Sequence, residues 1–194
     1  MGEVWAALDR DTGEEVAVKM ARAATLADPE LLARFEREGK LLRRLRTPYV
    51  CGFRAASHTD DGAPFLVVER LRGETLEALL AREGDLPLGE TLRVGRELLS
   101  ALVVAHDAGV VHRDLSPSNV FLHQAPSGAV ITKVLDFGVA KVSDHALEGA
   151  GATEGGATIG TLAYVAPEQL GGSATTGPRA DLYAAWTVLV HTLT

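Results

Sequence analysis

The sequence predicts an α+β fold: a small antiparallel sheet carrying one main helix, followed by a mostly helical part. Three observations predict it. Short strand-like segments fill the first seventy residues, joined by turns rich in Asp and Gly, with a single amphipathic stretch inserted among them. The segments after residue 72 lengthen and change to helical spacing, Glu90–Ala108 being the clearest. Between the helical stretches, a polar loop and a hairpin interrupt that pattern at 110–135. With 194 residues the chain holds enough material for one domain of two lobes, with the boundary expected between 71 and 72.

In chain order, Gly2–Leu8 reads as a strand, Asp9–Gly13 as its turn and Glu15–Met20 as the return. The period of two places Ala17 and Lys19 on one face of that return strand. Asp28-Pro29-Glu30 opens a helix: a cap, a proline in the first turn, an acid at the positive end of the dipole. Its apolar face runs Leu31, Phe35, Leu42, Leu45, and Glu38 fills the gap in the middle. A carboxylate inside an apolar stripe is costly unless paired. Lys19 is the natural partner, whereas Glu36 falls off that face and should be solvated. Val50–Ala56 and Pro64–Arg70 read as two more strands around an Asp60-Asp61-Gly62 turn. Thr75–Arg82 is a short helix. Glu90–Ala108 is a longer one, with Leu92, Leu98, Leu99, Leu102, Val103 and His106 expected on its buried stripe and Gly109 as its stop. The last segment, from Arg179, is an apolar helix expected to expose part of its surface.

The chemistry concentrates in Val110–Leu122. Asp114 stands five residues before Asn119 in a polar loop bracketed by apolar segments. Asp136 follows Asn119 by seventeen residues, and the segment between reads as a hairpin with a Pro126-Ser127-Gly128 turn. A hairpin brings its ends together, so Asn119 and Asp136 should lie side by side. Two oxygen ligands with a third carboxylate nearby suit a hard cation such as Mg2+ together with substrate phosphates.

Composition excludes several classes. A net charge of -7 argues against nucleic acid as a partner. A single cysteine, Cys51, excludes an intrachain disulfide framework and a thiolate metal cluster, and fits the cytoplasm. No apolar run reaches the length of a membrane span, and no signal peptide precedes the first motif. No pair of histidines stands at the spacing of a metal hydrolase.

The residues HRDLSPSN, 112–119, resemble the catalytic loop H-R-D-x-x-x-x-N of protein kinases. LDFG, 135–138, resembles their metal-binding D-F-G, and Ala166-Pro167-Glu168 resembles their A-P-E. The order of the three is the specific signal. The chain is therefore identified as resembling the eukaryotic-like serine/threonine protein kinases of bacteria. That resemblance implies a two-lobe kinase fold, ATP and Mg2+ as cofactors, and a protein substrate with a Ser or Thr acceptor. Asp114 is then the group that accepts the hydroxyl proton, and Asn119 and Asp136 the metal ligands. Lys19, oriented by Glu38, steadies the nucleotide phosphates. MGEVW looks like the tail of the family's glycine-rich loop, so Gly2 and Val4 lie over the nucleotide. Ala17 and Phe121 sandwich adenine, Val68 guards the back of its pocket, and Glu69 and Leu71 meet it through backbone groups. The family's usual Asp at position 181 anchors the catalytic loop. Arg113 pairs with a phosphate on the activation segment, for which Thr153 and Thr158 are the candidate acceptors.

The resemblance also marks departures. The first glycines of the loop and the last helices of the family's lower lobe are expected to be missing, so both lobes are incomplete. Ser116 stands where these kinases usually carry a catalytic-loop Lys. A truncated or pseudokinase-like nucleotide-binding module without transferase activity is the alternative. The discriminating feature is the set Lys19, Glu38, Asp114, Asn119 and Asp136, of which degenerate modules usually lose a member and this sequence loses none.

Overall fold

The computed structural model describes residues 3–21, 29–137, 163–170 and 177–194. Two antiparallel sheets organise it. The first has the order β1 (Glu3–Leu8), β2 (Glu15–Met20), β4 (Pro64–Glu69), β3 (Phe53–His58). Helix α1 (Pro29–Leu42) lies against it. The second sheet is β5 (Gly73–Thr75), β6 (Val120–Gln124), β7 (Val130–Val134). Helices α2 (Leu76–Glu83), α3 (Leu88–Asp107), α4 (Pro167–Leu170) and α5 (Pro178–His191) complete the described residues. None is long and apolar enough to cross a membrane.

Local chemistry explains the joints. The Thr75 hydroxyl accepts from the Ala78 N–H and caps α2. Between β6 and β7 the chain reverses over Ala125–Ala129, where the Ala125 and Ala129 backbones bond at 2.9 Å and Gly128 takes a φ of 84°. Gly73 shows why one glycine is required. Its φ is 131°, and a Cβ there would sit 2.1 Å from the Leu122 carbonyl oxygen.

The main core lies between the second sheet and helices α2, α3 and α5. Leu76, Val94, Leu98, Leu102, Val120, Val134, Phe137 and Val188 are buried there. Each such side chain contributes about 1.5–3 kcal/mol relative to exposure. A smaller cluster of Ala21, Phe35 and Leu66 joins α1 to the first sheet. The two halves meet where the Val134 N–H donates to Tyr49 and the Cys51 N–H donates to Val134.

The expected face of α3 needs correction. Leu98 and Leu102 are buried, but Leu92, Leu99 and Val103 are 64%, 42% and 58% exposed. The helix instead buries Thr91, Val94, Gly95, Glu97, Leu98, Ala101, Leu102 and Ala105. Gly95 is inside where α5 approaches closely: a Cβ there would stand 3.0 Å from Leu189 Cδ1. Counting large apolar side chains therefore rotates the helix the wrong way. On α5 the expected apolar exposure holds for Leu182, Trp186 and Val190, while Val188 faces the core and is buried.

Candidate active site

Four segments place the candidate residues, and each does so for a physical reason. β2 carries Lys19 on the face that α1 covers, opposite Val4 of β1 and Leu66 of β4. Glu38 reaches it from α1. The Lys19 ammonium lies 2.7 Å from Glu38 Oε1 and 2.8 Å from Asp136 Oδ1. Glu36 is exposed, so the choice between the two acids resolves as the apolar stripe predicts. Burial pulls the Lys19 ammonium down, but the carboxylates of Glu38 and Asp136 together outweigh it and hold the pKa above the ordinary lysine value. Burial also pushes the Glu38 carboxyl up, opposed by the charge of Lys19. The nearby Asp136 carboxylate adds to the upward push on Glu38, and Lys19 lies between the two acids.

The hairpin closes as its turn residues predict. Val120 faces Val134 across the ladder, and just beyond it the Leu135 N–H donates to the Asn119 carbonyl at 2.9 Å. Asp136 follows at φ 45°, a left-handed conformation that costs a non-glycine residue of order 1–3 kcal/mol. Asn119 donates from Nδ2 to the Asp114 carbonyl at 2.8 Å, which ties the two ends of the polar loop together. The donor set of Asn119 and Asp136 suits Mg2+, which is bound by one or two carboxylates plus water and phosphate oxygens. Among the described residues no group of three or more His, Cys, Asp or Glu forms a closed metal cage.

The loop is pinned from below. Asp181, at the start of α5 and buried, accepts the His112 N–H and the Arg113 N–H, each at 2.8 Å. His106 of α3 bonds the same carboxylate at 2.8 Å, so it is a core histidine with a definite task. His112 is wholly buried. Its Nε2 bonds the Leu135 carbonyl at 2.9 Å and its Nδ1 accepts the Asp114 N–H at 3.3 Å. One nitrogen donating and one accepting is the pattern of a neutral imidazole, and burial lowers the His112 pKa in the same sense. The ring packs on Phe137 with centroids 5.0 Å apart.

The remaining candidates fall as follows. Ala17 stands opposite Val68 across the ladder of β2 and β4, and Phe121 lies on β6 opposite Lys133. Glu69 and Leu71 follow Val68 at the end of β4, where the chain crosses to the second sheet. Arg113 has a φ of 66°. Gly2, Thr153 and Thr158 lie outside the described residues.

Three features escaped sequence reasoning. One is the bond that His106 makes to the Asp181 carboxylate beneath the loop. Another is Gln169 of α4, which donates to the Arg113 carbonyl at 3.1 Å. The third is Lys133, buried on β7, whose ammonium lies 2.5 Å from Glu69 Oε2. Glu69 Oε2 also accepts the Gly52 N–H at 3.1 Å, so this carboxylate holds the crossover rather than facing solvent. A lone lysine in the apolar run 130–134 carries the same signal as Glu38 and could have been found by it. Beside this pair the Cys51 thiol is pushed up to about 12, by burial first and then by the Glu69 carboxylate.

Two sheets, a strand lysine paired to a helix acid, and an Asp–Asn loop beside a second Asp are the arrangement that the HRD and DFG motifs lead one to expect of a kinase fold. The profile of the protein kinase domain family matches residues 1–194, and the chain belongs to that family. Among curated proteins it is 38% identical over 194 residues to the serine/threonine-protein kinase pkn3 of Myxococcus xanthus. That match covers 100% of this chain and 35% of the relative. It is 36% identical over 189 residues to PknA of Mycobacterium tuberculosis, covering 95% of this chain and 42% of that protein. The chain thus spans less than half the length of these relatives. Among solved structures, the kinase domain of Mycobacterium tuberculosis PknI superposes with a TM-score of 0.73 at 29% identity, covering 100% of this chain and 69% of that one.

Proposed function

We propose that this chain transfers the γ-phosphoryl group of ATP to Ser or Thr hydroxyls of a protein, as its serine/threonine kinase relatives are named for doing. The observation that carries the reading is the Lys19 ammonium held between Glu38 at 2.7 Å and Asp136 at 2.8 Å. That contact joins residues 19, 38 and 136 beside the Asp114–Asn119 loop. Phosphoryl transfer needs placement and charge neutralisation more than covalent chemistry, and this set supplies both.

In the reaction the substrate oxygen forms a bond to the γ-phosphorus as the bond to the β-γ bridging oxygen breaks, leaving ADP. Asp114 takes the hydroxyl proton. Lys19, kept cationic by its two carboxylates, steadies the phosphates. Asn119 and Asp136 would hold Mg2+, which when bound neutralises charge on the β- and γ-phosphates. Ala17, Val68 and Phe121 supply the apolar walls for adenine, and the Glu69 and Leu71 backbones its hydrogen bonds. Gly2 and Val4 cover the phosphates. Arg113 is the cation that a phosphorylated Thr153 or Thr158 would meet.

One observation favours a second reading, a module that binds nucleotide without transferring phosphate. Ser116 is buried and its hydroxyl bonds that of Ser118 at 2.8 Å, so it offers no cation to the moving phosphoryl group. Incubation with γ-labelled ATP, Mg2+ and a generic basic protein substrate separates the two. The proposal expects phosphoserine or phosphothreonine that disappears with chelator. Nucleotide binding without labelled product would favour the second reading, and label only on tyrosine would contradict the first.

A further inference from the structure

The peptide joining Arg113 to Asp114 is held at both ends. Its N–H, on Asp114, donates to His112 Nδ1 at 3.3 Å. Its carbonyl, on Arg113, accepts from Gln169 Nε2 at 3.1 Å. The other end of the Gln169 amide is also committed, because Oε1 accepts the Ala166 N–H at 3.1 Å. This second bond fixes the amide orientation: an N–H needs an oxygen, and a carbonyl needs an N–H. Gln169 therefore spans from the residues that open α4 to the residue before the candidate base. Arg113 sits at φ 66°, a conformation a non-glycine residue keeps only when its surroundings over-determine it. Asp181 Oδ1 holds its N–H at 2.8 Å and Gln169 holds its carbonyl, so both of its peptide planes are clamped by side chains from later in the chain.

We propose that Gln169 is a positioning residue for Asp114. Its amide couples the 166–170 turn to the Arg113–Asp114 peptide, and the plane of that peptide sets the direction in which the Asp114 carboxylate leaves the backbone. The inference rests on the kinase reading above for its catalytic consequence, but the tether itself does not. Only an amide does this. Glutamate keeps an acceptor for the Ala166 N–H and turns a second oxygen toward the Arg113 carbonyl. Methionine keeps the shape and makes neither bond.

The test compares the parent chain with Gln169→Met and Gln169→Glu in three measurements: kcat and KM for ATP, the rise in Tm caused by ATP and Mg2+, and hydrogen exchange at the Asp114 amide. Loss of one aligned contact is expected to lower kcat about tenfold in both variants. KM for ATP and the nucleotide-induced shift should stay at parental values, because the nucleotide contacts are elsewhere. Exchange at Asp114 should quicken while Val120 and Val134 remain protected. Parental kcat in either variant, unchanged exchange at Asp114, or a nucleotide shift that falls along with kcat would each overturn the proposal, the last by showing a general loss of fold. If the parent itself transfers no phosphate, the kinase reading fails separately. Exchange then decides the tether alone: quickened exchange at Asp114 in both variants supports it, and parental exchange overturns it.

Discussion

Asp114→Asn is expected to lower phosphoryl transfer by about 10²–10⁴-fold, the range that a positioned general base contributes. Asparagine has nearly the shape of aspartate and cannot take a proton at neutral pH. The backbone around it stays anchored, since the Asp114 N–H bonds His112 and the Asp114 carbonyl accepts from Asn119. Tm and the affinity for ATP with Mg2+ should therefore remain near parental values while kcat collapses. Steady-state kinetics beside a melting curve checks this. A variant that turns over at the parental rate would remove Asp114 from the chemistry and leave the loop as a purely structural device.

Asp181→Ala should have the largest effect on stability. Its carboxylate is buried and accepts two backbone N–H groups at 2.8 Å, with His106 as a third partner at 2.8 Å. Alanine leaves one buried and one part-buried donor without an acceptor, and an orphaned buried donor costs about 1–3 kcal/mol. A loss of roughly 3 kcal/mol corresponds to a fall in Tm of about 6–12 °C for a chain of this size. Catalysis should fall as well, because Arg113 at φ 66° loses one of the contacts that holds it there. A melting experiment that finds less than about 2 °C of change would mean that water replaces the carboxylate and that the loop keeps its shape by other means.

Much of this site was legible in the sequence, and the legible parts share a cause. Glu38 stood out because a carboxylate in an apolar stripe demands a partner, and Lys19 answers it at 2.7 Å. Asn119 and Asp136 were brought together by a turn whose residues announce a reversal, and the Leu135–Asn119 bond closes it. Both inferences use local pattern plus one long-range consequence. The buried face of α3 was legible only in part: Leu98 and Leu102 are inside as expected, but so are Ala101, Ala105 and Gly95, the last where α5 comes close, while Leu92, Leu99 and Val103 lie outside. Hydrophobic size alone points the other way. Gln169 was invisible for a different reason: a polar residue on a short helix carries no pattern that reveals which distant carbonyl it meets. The anchoring by Asp181 was expected only through family resemblance, and the two bonds at 2.8 Å give it a physical basis.

In the kinase reading proposed above, Lys19, Asn119 and Asp136, drawn from distant parts of the chain, make one site for a nucleotide phosphate with its divalent ion. Thermal denaturation under an ATP titration, with and without Mg2+, tests it most directly, since a ligand that binds only the folded state raises Tm by mass action. The parental Tm should climb with nucleotide, more steeply with Mg2+, and an Asp136→Asn variant should lose the Mg2+-dependent part of the climb. A parental Tm indifferent to Mg2+, or an Asp136→Asn variant that responds as the parent does, would contradict it.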